Sequence, residues 1–143
     1  MKRPYISPAI RQYIAKRDKY RCSYCQTQVD VVGNLLELDH IIPLHAGGTS
    51  DEDNLCLACS SCNQSKGSKT SATDPVSEKT QPLFNPRNHS WAEHFHWVAD
   101  GTRIAGITAV GRATIITLNM NRSLIVKTRA RWVQVGWHPP HDK

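Results

Sequence analysis

Two Cys-x-x-Cys pairs, Cys22/Cys25 and Cys59/Cys62, constrain this chain more than any other feature. Brought together, four thiolates close a tetrahedral shell around one structural metal, most often zinc, and the intervening chain must double back to reach it. The loops are too short to stand as a folded unit without the ion. Spacing alone also admits Cys56, because Cys56-x-x-Cys59 is an equally legal ligand pair, and iron in a rubredoxin-like site is open on the cysteines alone. With 143 residues and 39% hydrophobic content, the chain is expected to form one domain, or a small domain with an appendage, helped to fold by a metal.

Between the pairs lie Asp39-His40 and Asn54, and Asn63 follows Cys62 directly. An acid beside an imidazole, with two carboxamides, is the side-chain set needed to hold a hard divalent cation and activate water next to a phosphodiester. The bland readings are a surface Asp-His pair, an Asn54 that braces a loop and an Asn63 that caps a helix.

The formal charge of +6 falls to about +4 once four thiolates hold a zinc ion. Its distribution is more telling. Residues 1–21 carry Lys2, Arg3, Arg11, Lys16, Arg17, Lys19 and Arg21 against Asp18 alone, and six basic residues with no acid lie between Gly101 and His141. The acids gather near the polar series: Asp30, Glu37, Asp39, Asp51, Glu52 and Asp53. Basic flanks around an acidic centre suit a protein that grips phosphates at its edges and a cation in the middle, although an ordinary solvated basic surface has the same composition. Met1 to Pro8 has no apolar signal region and no stretch approaches membrane-spanning length. Paired cysteines without an export signal favour metal over disulfides, so the expected compartment is the cytoplasm.

Ser7-Pro8 opens a short amphipathic helix over 8–18. Residues 35–42 read as a strand, 55–58 as a second, and 60–68 as a short helix opened by Ser60 or Ser61. Residues 65–82 are mostly polar and read as an extended connector. Further on, 95–107 reads as a hairpin turning at Asp100-Gly101. The segments 109–118 and 122–135 are rich in β-branched residues, but Leu124, Ile125, Thr128 and Trp132 share a helical face, which favours helices.

The series Leu38-Asp39-His40-Ile41-Ile42-Pro43, Gly47-Gly48, Asp53-Asn54-Leu55 and Cys59-Ser-Ser-Cys62-Asn63-Gln-Ser-Lys66-Gly67 resembles the HNH endonucleases, in the branch with flanking Cys-x-x-Cys pairs. The resemblance spans about residues 20–68. It implies an α+β fold with a ββα-metal core stapled by a four-cysteine zinc site, in which Cys62 beside Asn63 selects Cys59 and Cys62 and leaves Cys56 as a buried strand residue. It further implies that His40 is the general base and that Asp39 and Asn63 hold one catalytic Mg²⁺ or Mn²⁺. Asn54 would orient His40 or its loop, and Lys66, one helical turn after Asn63, could reach a phosphate. The substrate implied is DNA, with no membrane partner; the oligomeric state is left open.

Pro82-Leu-Phe-Asn-Pro-Arg87, Trp91, Trp97, Gly111-Arg-Ala-Thr114 and Trp137-His-Pro-Pro140 resemble an extension found on stand-alone bacterial HNH proteins, many cyanobacterial. This gives three expected parts. They are an HNH domain with N-terminal helix and zinc knuckles over 1–69, a connector over 70–82, and a small mixed extension over 83–143 that packs on the core or contacts nucleic acid. Arg122 with Arg129, and Lys127 with Arg131, would share helical faces able to lie along a phosphate backbone. The function expected is metal-dependent hydrolysis of DNA phosphodiesters; the alternative is a zinc-dependent nucleic-acid-binding module that does not cut.

Overall fold

Ser7 and Pro8 start the first helix of the computed structural model, which describes residues 5–141; Lys2 and Arg3 of the basic run lie outside them. Helix α1 (Pro8–Arg17) is capped by the Ser7 side chain, which accepts from Ile10 N at 3.2 Å, and Lys16 and Arg17 sit at its negative end. Its buried residue, Ile14, packs with Ile6, Leu38, Leu55 and Leu57 in a small core. A single turn, α2 (Val29–Val32), follows the first cysteine pair.

Strands β1 (Glu37–His40) and β2 (Leu55–Ala58) form an antiparallel ribbon, pairing Leu38 with Leu57, Asp39 with Cys56 and His40 with Leu55. Alternation along the strands divides the ribbon's faces. Leu38, Leu55 and Leu57 join the α1 core, whereas Cys56 and Ala58 join a larger one. The expected strand over 35–42 is shorter in the structure, because the Asn54 side chain takes both the N–H and the carbonyl of Ile42. Helix α3 (Ser60–Lys66) is capped by Cys59, not by Ser60 or Ser61: its sulfur accepts from Cys62 N at 3.4 Å.

The expected connector is also paired. Strands β3 (Ser71–Thr73) and β4 (Thr80–Pro82) form a hairpin. Asp74 at its turn is fully buried and receives Arg112 Nε and Nη2 at 2.9 and 3.0 Å. That guanidinium holds the Asp74 carboxyl well below the usual range. Polar composition disguised a segment anchored by one ion pair.

The remainder comprises α4 (Trp91–His94), the hairpin β5 (Phe95–Val98) and β6 (Arg103–Gly106), α5 (Ala109–Leu118) and α6 (Ser123–Gln134). Both late segments are helical as expected, although Leu124 of the expected face is exposed and Ile125 and Arg129 are the buried residues of α6. Thr108 caps α5 through Gly111 N, and a Cβ on Gly111 would collide with the His94 carbonyl, so glycine permits this close crossing. Helix α5 packs on α3 and β6. Leu83, Phe84, Phe95, Ile104, Ile115, Leu118 and Met120 share one continuous core with the cysteines. Among the described residues no helix is long and apolar enough to cross a membrane.

Candidate active site and metal centre

Cys22, Cys25, Cys59 and Cys62 converge: their sulfurs lie within 4.8 Å of one another, and all four residues are buried. A tetrahedral zinc–thiolate site with Zn–S near 2.3 Å has sulfurs about 3.8 Å apart. The Cys25–Cys59 separation of 3.6 Å is close to that edge, so the donor set fits zinc. Cys56 lies outside the cluster, buried in β2 with its Sγ 3.6 Å from Tyr24 Oη. Burial pushes the Cys56 thiol up to about 12, the behaviour of an inert core residue.

The knuckles are built into the fold. Ser23 N donates to Leu57 O at the outer edge of β2, and Trp91 Nε1 donates to Tyr24 O at 2.7 Å. Arg129 is completely buried near this centre, donating to Met120 O at 2.8 Å and Thr102 O at 3.2 Å, with its guanidinium 5.3 Å from the Trp97 ring centre. Burial lowers its pKa, and the charges of Cys25, Cys62 and Cys59 oppose that shift. The expected phosphate contact at Arg129 is therefore corrected: the residue is fully buried, with Nη1 and Nη2 donating to backbone carbonyls. Arg122 precedes α6 half-buried, with a buried Nη1, so the face it shares with Arg129 turns inward. Lys127 and Arg131, four apart, remain exposed.

Across the ribbon, β1, the following loop and α3 surround a cavity of about 690 Å³ lined by Glu37, Asp39, His40, His45 and Asn63. His40, half-buried at the end of β1, has Nε2 3.0 Å from Ser50 Oγ. Asn54 ties the loop together: Oδ1 accepts from Ile42 N, and Nδ2 donates to Ile42 O and Thr49 O at 2.9 and 2.7 Å. Gly48 belongs to the same knot, since a Cβ there would strike the Ile42 carbonyl.

Asp39 is buried, and its carboxylate accepts from Tyr24 Oη at 2.7 Å and from Lys66 Nζ, 3.1 Å from Oδ2. Lys66 also donates to His40 O at 3.1 Å. The expectation that Lys66 reaches out to a phosphate is corrected, because its ammonium is turned inward onto β1. Asn63 Nδ2 donates to Glu37 Oε1 at 2.8 Å. Sequence reasoning passed over Glu37, Tyr24 and Ser50. Glu37 was detectable, since residues two apart on a strand share a face and Asp39 was already selected. Tyr24 and Ser50 carry no such signal.

An antiparallel ribbon and a following helix around one polar cavity, beside a four-cysteine centre, define the class of small α+β proteins with a ββα-metal core. Residues 22–69 match the model of the HNH endonuclease family and form an HNH endonuclease domain. The Septu protein PtuB of Bacillus thuringiensis is 26% identical over 105 residues, covering 72% of this chain and 39% of that protein. The CRISPR-associated endonuclease Cas9 of Corynebacterium diphtheriae is 36% identical over 98 residues, covering 63% of this chain and 8% of that protein. The chain thus spans well under half of either relative. No solved structure matches it significantly.

Proposed function

We propose that this chain is an endonuclease that hydrolyses DNA phosphodiesters with His40 as general base and one divalent cation. The observation that carries the proposal is the convergence of Glu37, Asp39, His40 and Asn63 on one cavity within the HNH domain. A neutral imidazole suits proton abstraction near pH 7, and the Ser50 contact steadies the ring. Asp39 and Asn63 offer the oxygen donors that Mg²⁺ or Mn²⁺ takes. The carboxylate of Asp39 has about four lone-pair sites, and Tyr24 and Lys66 leave room for one more ligand. With Asn63 Nδ2 directed to Glu37, the amide oxygen is the atom left for a cation. When bound, such an ion stabilises negative charge developing on the leaving oxygen. Cys22, Cys25, Cys59 and Cys62 hold a structural zinc that organises the frame.

One observation favours the second reading, a zinc-dependent module that binds nucleic acid without cutting: Asp39 already has a cationic partner in Lys66. Plasmid incubated with the protein and Mg²⁺ or Mn²⁺ separates the two. Cleavage that falls on the order of 10²–10⁴-fold in His40→Ala supports the nuclease. Equal turnover in that variant removes His40 from the chemistry, and intact plasmid under all metals leaves the binding module.

A further inference from the structure

We infer that Glu37 is a direct ligand of the divalent cation proposed for the His40 cavity, and its principal anionic one. Strand β1 and helix α3 meet there through two polar rungs. Glu37 and Asp39 are two apart on the strand and share a face. Asn63 and Lys66 are three apart on the helix and are neighbours on its surface. One rung joins Glu37 Oε1 to Asn63 Nδ2 at 2.8 Å, and the other joins Asp39 Oδ2 to Lys66 Nζ at 3.1 Å.

The rungs differ in exposure and in charge. Asp39 and Lys66 are both buried, and their charges cancel. Glu37 is exposed and its partner Asn63 is neutral. The ion pairs among the described residues use Asp18, Asp39 and Asp74, and leave the Glu37 carboxylate out. Lys66 Nζ lies 3.3 Å from Asp39 Oδ1 as well as 3.1 Å from Oδ2, so a dication arriving at Asp39 meets an ammonium as its neighbour. Asp39, Asn63 and Lys66 together carry no net charge. Glu37 supplies the negative charge that this set lacks.

The outer rung also has donor atoms to offer. Glu37 Oε1 holds the Asn63 amide nitrogen, which leaves Oε2 for a cation and Asn63 Oδ1 as the acceptor of the amide. Both residues line the cavity beside His40 and Asp39. A carboxylate and an amide oxygen at an open cleft suit Mg²⁺, which dehydrates reluctantly and keeps several waters. Asp39 completes the set from the buried side through the one position that Tyr24 and Lys66 leave. The inference rests on the cation proposed above and changes which carboxylate chiefly holds it.

The test uses the full zinc-loaded chain without nucleic acid, so cleavage cannot influence the result. Mn²⁺ binding is read from the loss of the free-ion EPR signal, at low and at high KCl. The variant is Glu37→Gln, whose amide oxygen still accepts from Asn63 Nδ2. Because the side chain is exposed, zinc content and melting temperature should match the parent. Changing an outer partner of a metal ligand costs about 10–100-fold in affinity, so losing a ligand should weaken Mn²⁺ at least that much. Weakening of this size at both salt concentrations supports ligation. Weakening that vanishes at high salt overturns it, because Glu37 then acts only through a screened field. Equal affinity in parent and variant also overturns it, and leaves the cation to Asp39 and Asn63 with the proposed function intact. A parent that takes up no Mn²⁺ overturns the inference together with the proposed cation.

Discussion

Lys66 Nζ lies 3.1 Å from Asp39 Oδ2, and both side chains are almost excluded from water. A buried pair of this kind is costly to break from one side, on the order of 3–5 kcal/mol, because the surviving charge is left unpaired. Here the pair belongs to a chain running from Cys56 through Tyr24 to Asp39. The carboxylate proposed to meet a catalytic cation is thus already held by a protein cation and a phenol.

This relationship gives the first prediction. Lys66→Met should melt well below the parent in buffer free of metals other than its zinc, because Asp39 loses its counter-charge. If a divalent cation binds Asp39, added Mg²⁺ should raise the melting temperature of the variant more than that of the parent, by mass action on the folded state. Equal shifts in the two proteins would remove Asp39 from the cation's ligands.

The loop after β1 gives a second. Asn54 makes three hydrogen bonds to Ile42 and Thr49, and Gly48 lies against the same carbonyl. Asn54→Ala should lose about 1 kcal/mol per bond at most, and Gly48→Ala should distort the loop outright. Both variants should keep one zinc per chain while cleavage falls. Zinc content measured beside plasmid turnover checks this, and wild-type turnover in folded Gly48→Ala would show that the loop does not position His40.

How much of this could be read beforehand depends on the kind of signal. The second strand over 55–58 and the cysteine set were legible because a short apolar run and Cys-x-x-Cys spacing are local patterns. Helix α6 was read through a face of Leu124, Ile125, Thr128 and Trp132, since the β-branched residues argue for strands; the segment is helical, but Leu124 is exposed and Ile125 and Arg129 form its buried side. The pairing of Asp74 with Arg112 was invisible, because it joins residues 38 positions apart. The same holds for Lys66: spacing placed it one turn after Asn63, but only the packing of α3 on β1 turns its ammonium inward.

The third prediction separates the cysteines. Cys62→Ser should lose zinc and unfold, whereas Cys56→Ala should still hold one zinc per chain, since Cys56 lies outside the sulfur cluster. A pH effect follows from Cys56 itself. Burial raises its pKa from 9.0 to about 12, so the folded state favours the neutral thiol. That stability is complete below about pH 9 and is lost as pH rises toward 12, because the unfolded chain releases the proton first. Urea unfolding between about pH 9 and 11 should therefore show a shallower decline in Cys56→Ala than in the parent. Parallel declines would mean that the thiol does not limit alkaline stability.

The last prediction divides the basic residues of α6 by where they point. Arg129 is fully buried and bonds to Met120 O and Thr102 O, near thiolates whose zinc complex carries about two negative charges. Arg129→Leu should destabilise the chain, since it unpairs buried carbonyls and removes charge compensation beside the metal. It should also speed zinc loss to a competing chelator. Lys127 and Arg131 are exposed on the opposite side. Replacing both with Ala should leave the melting temperature and zinc retention unchanged, because no buried contact is removed. If that face lies on nucleic acid, the salt slope of duplex binding should fall by about two units. An unchanged slope in the double variant would mean that Lys127 and Arg131 are merely solvated. Equal zinc release from Arg129→Leu and the parent would show that the buried guanidinium serves the packing of α6 alone.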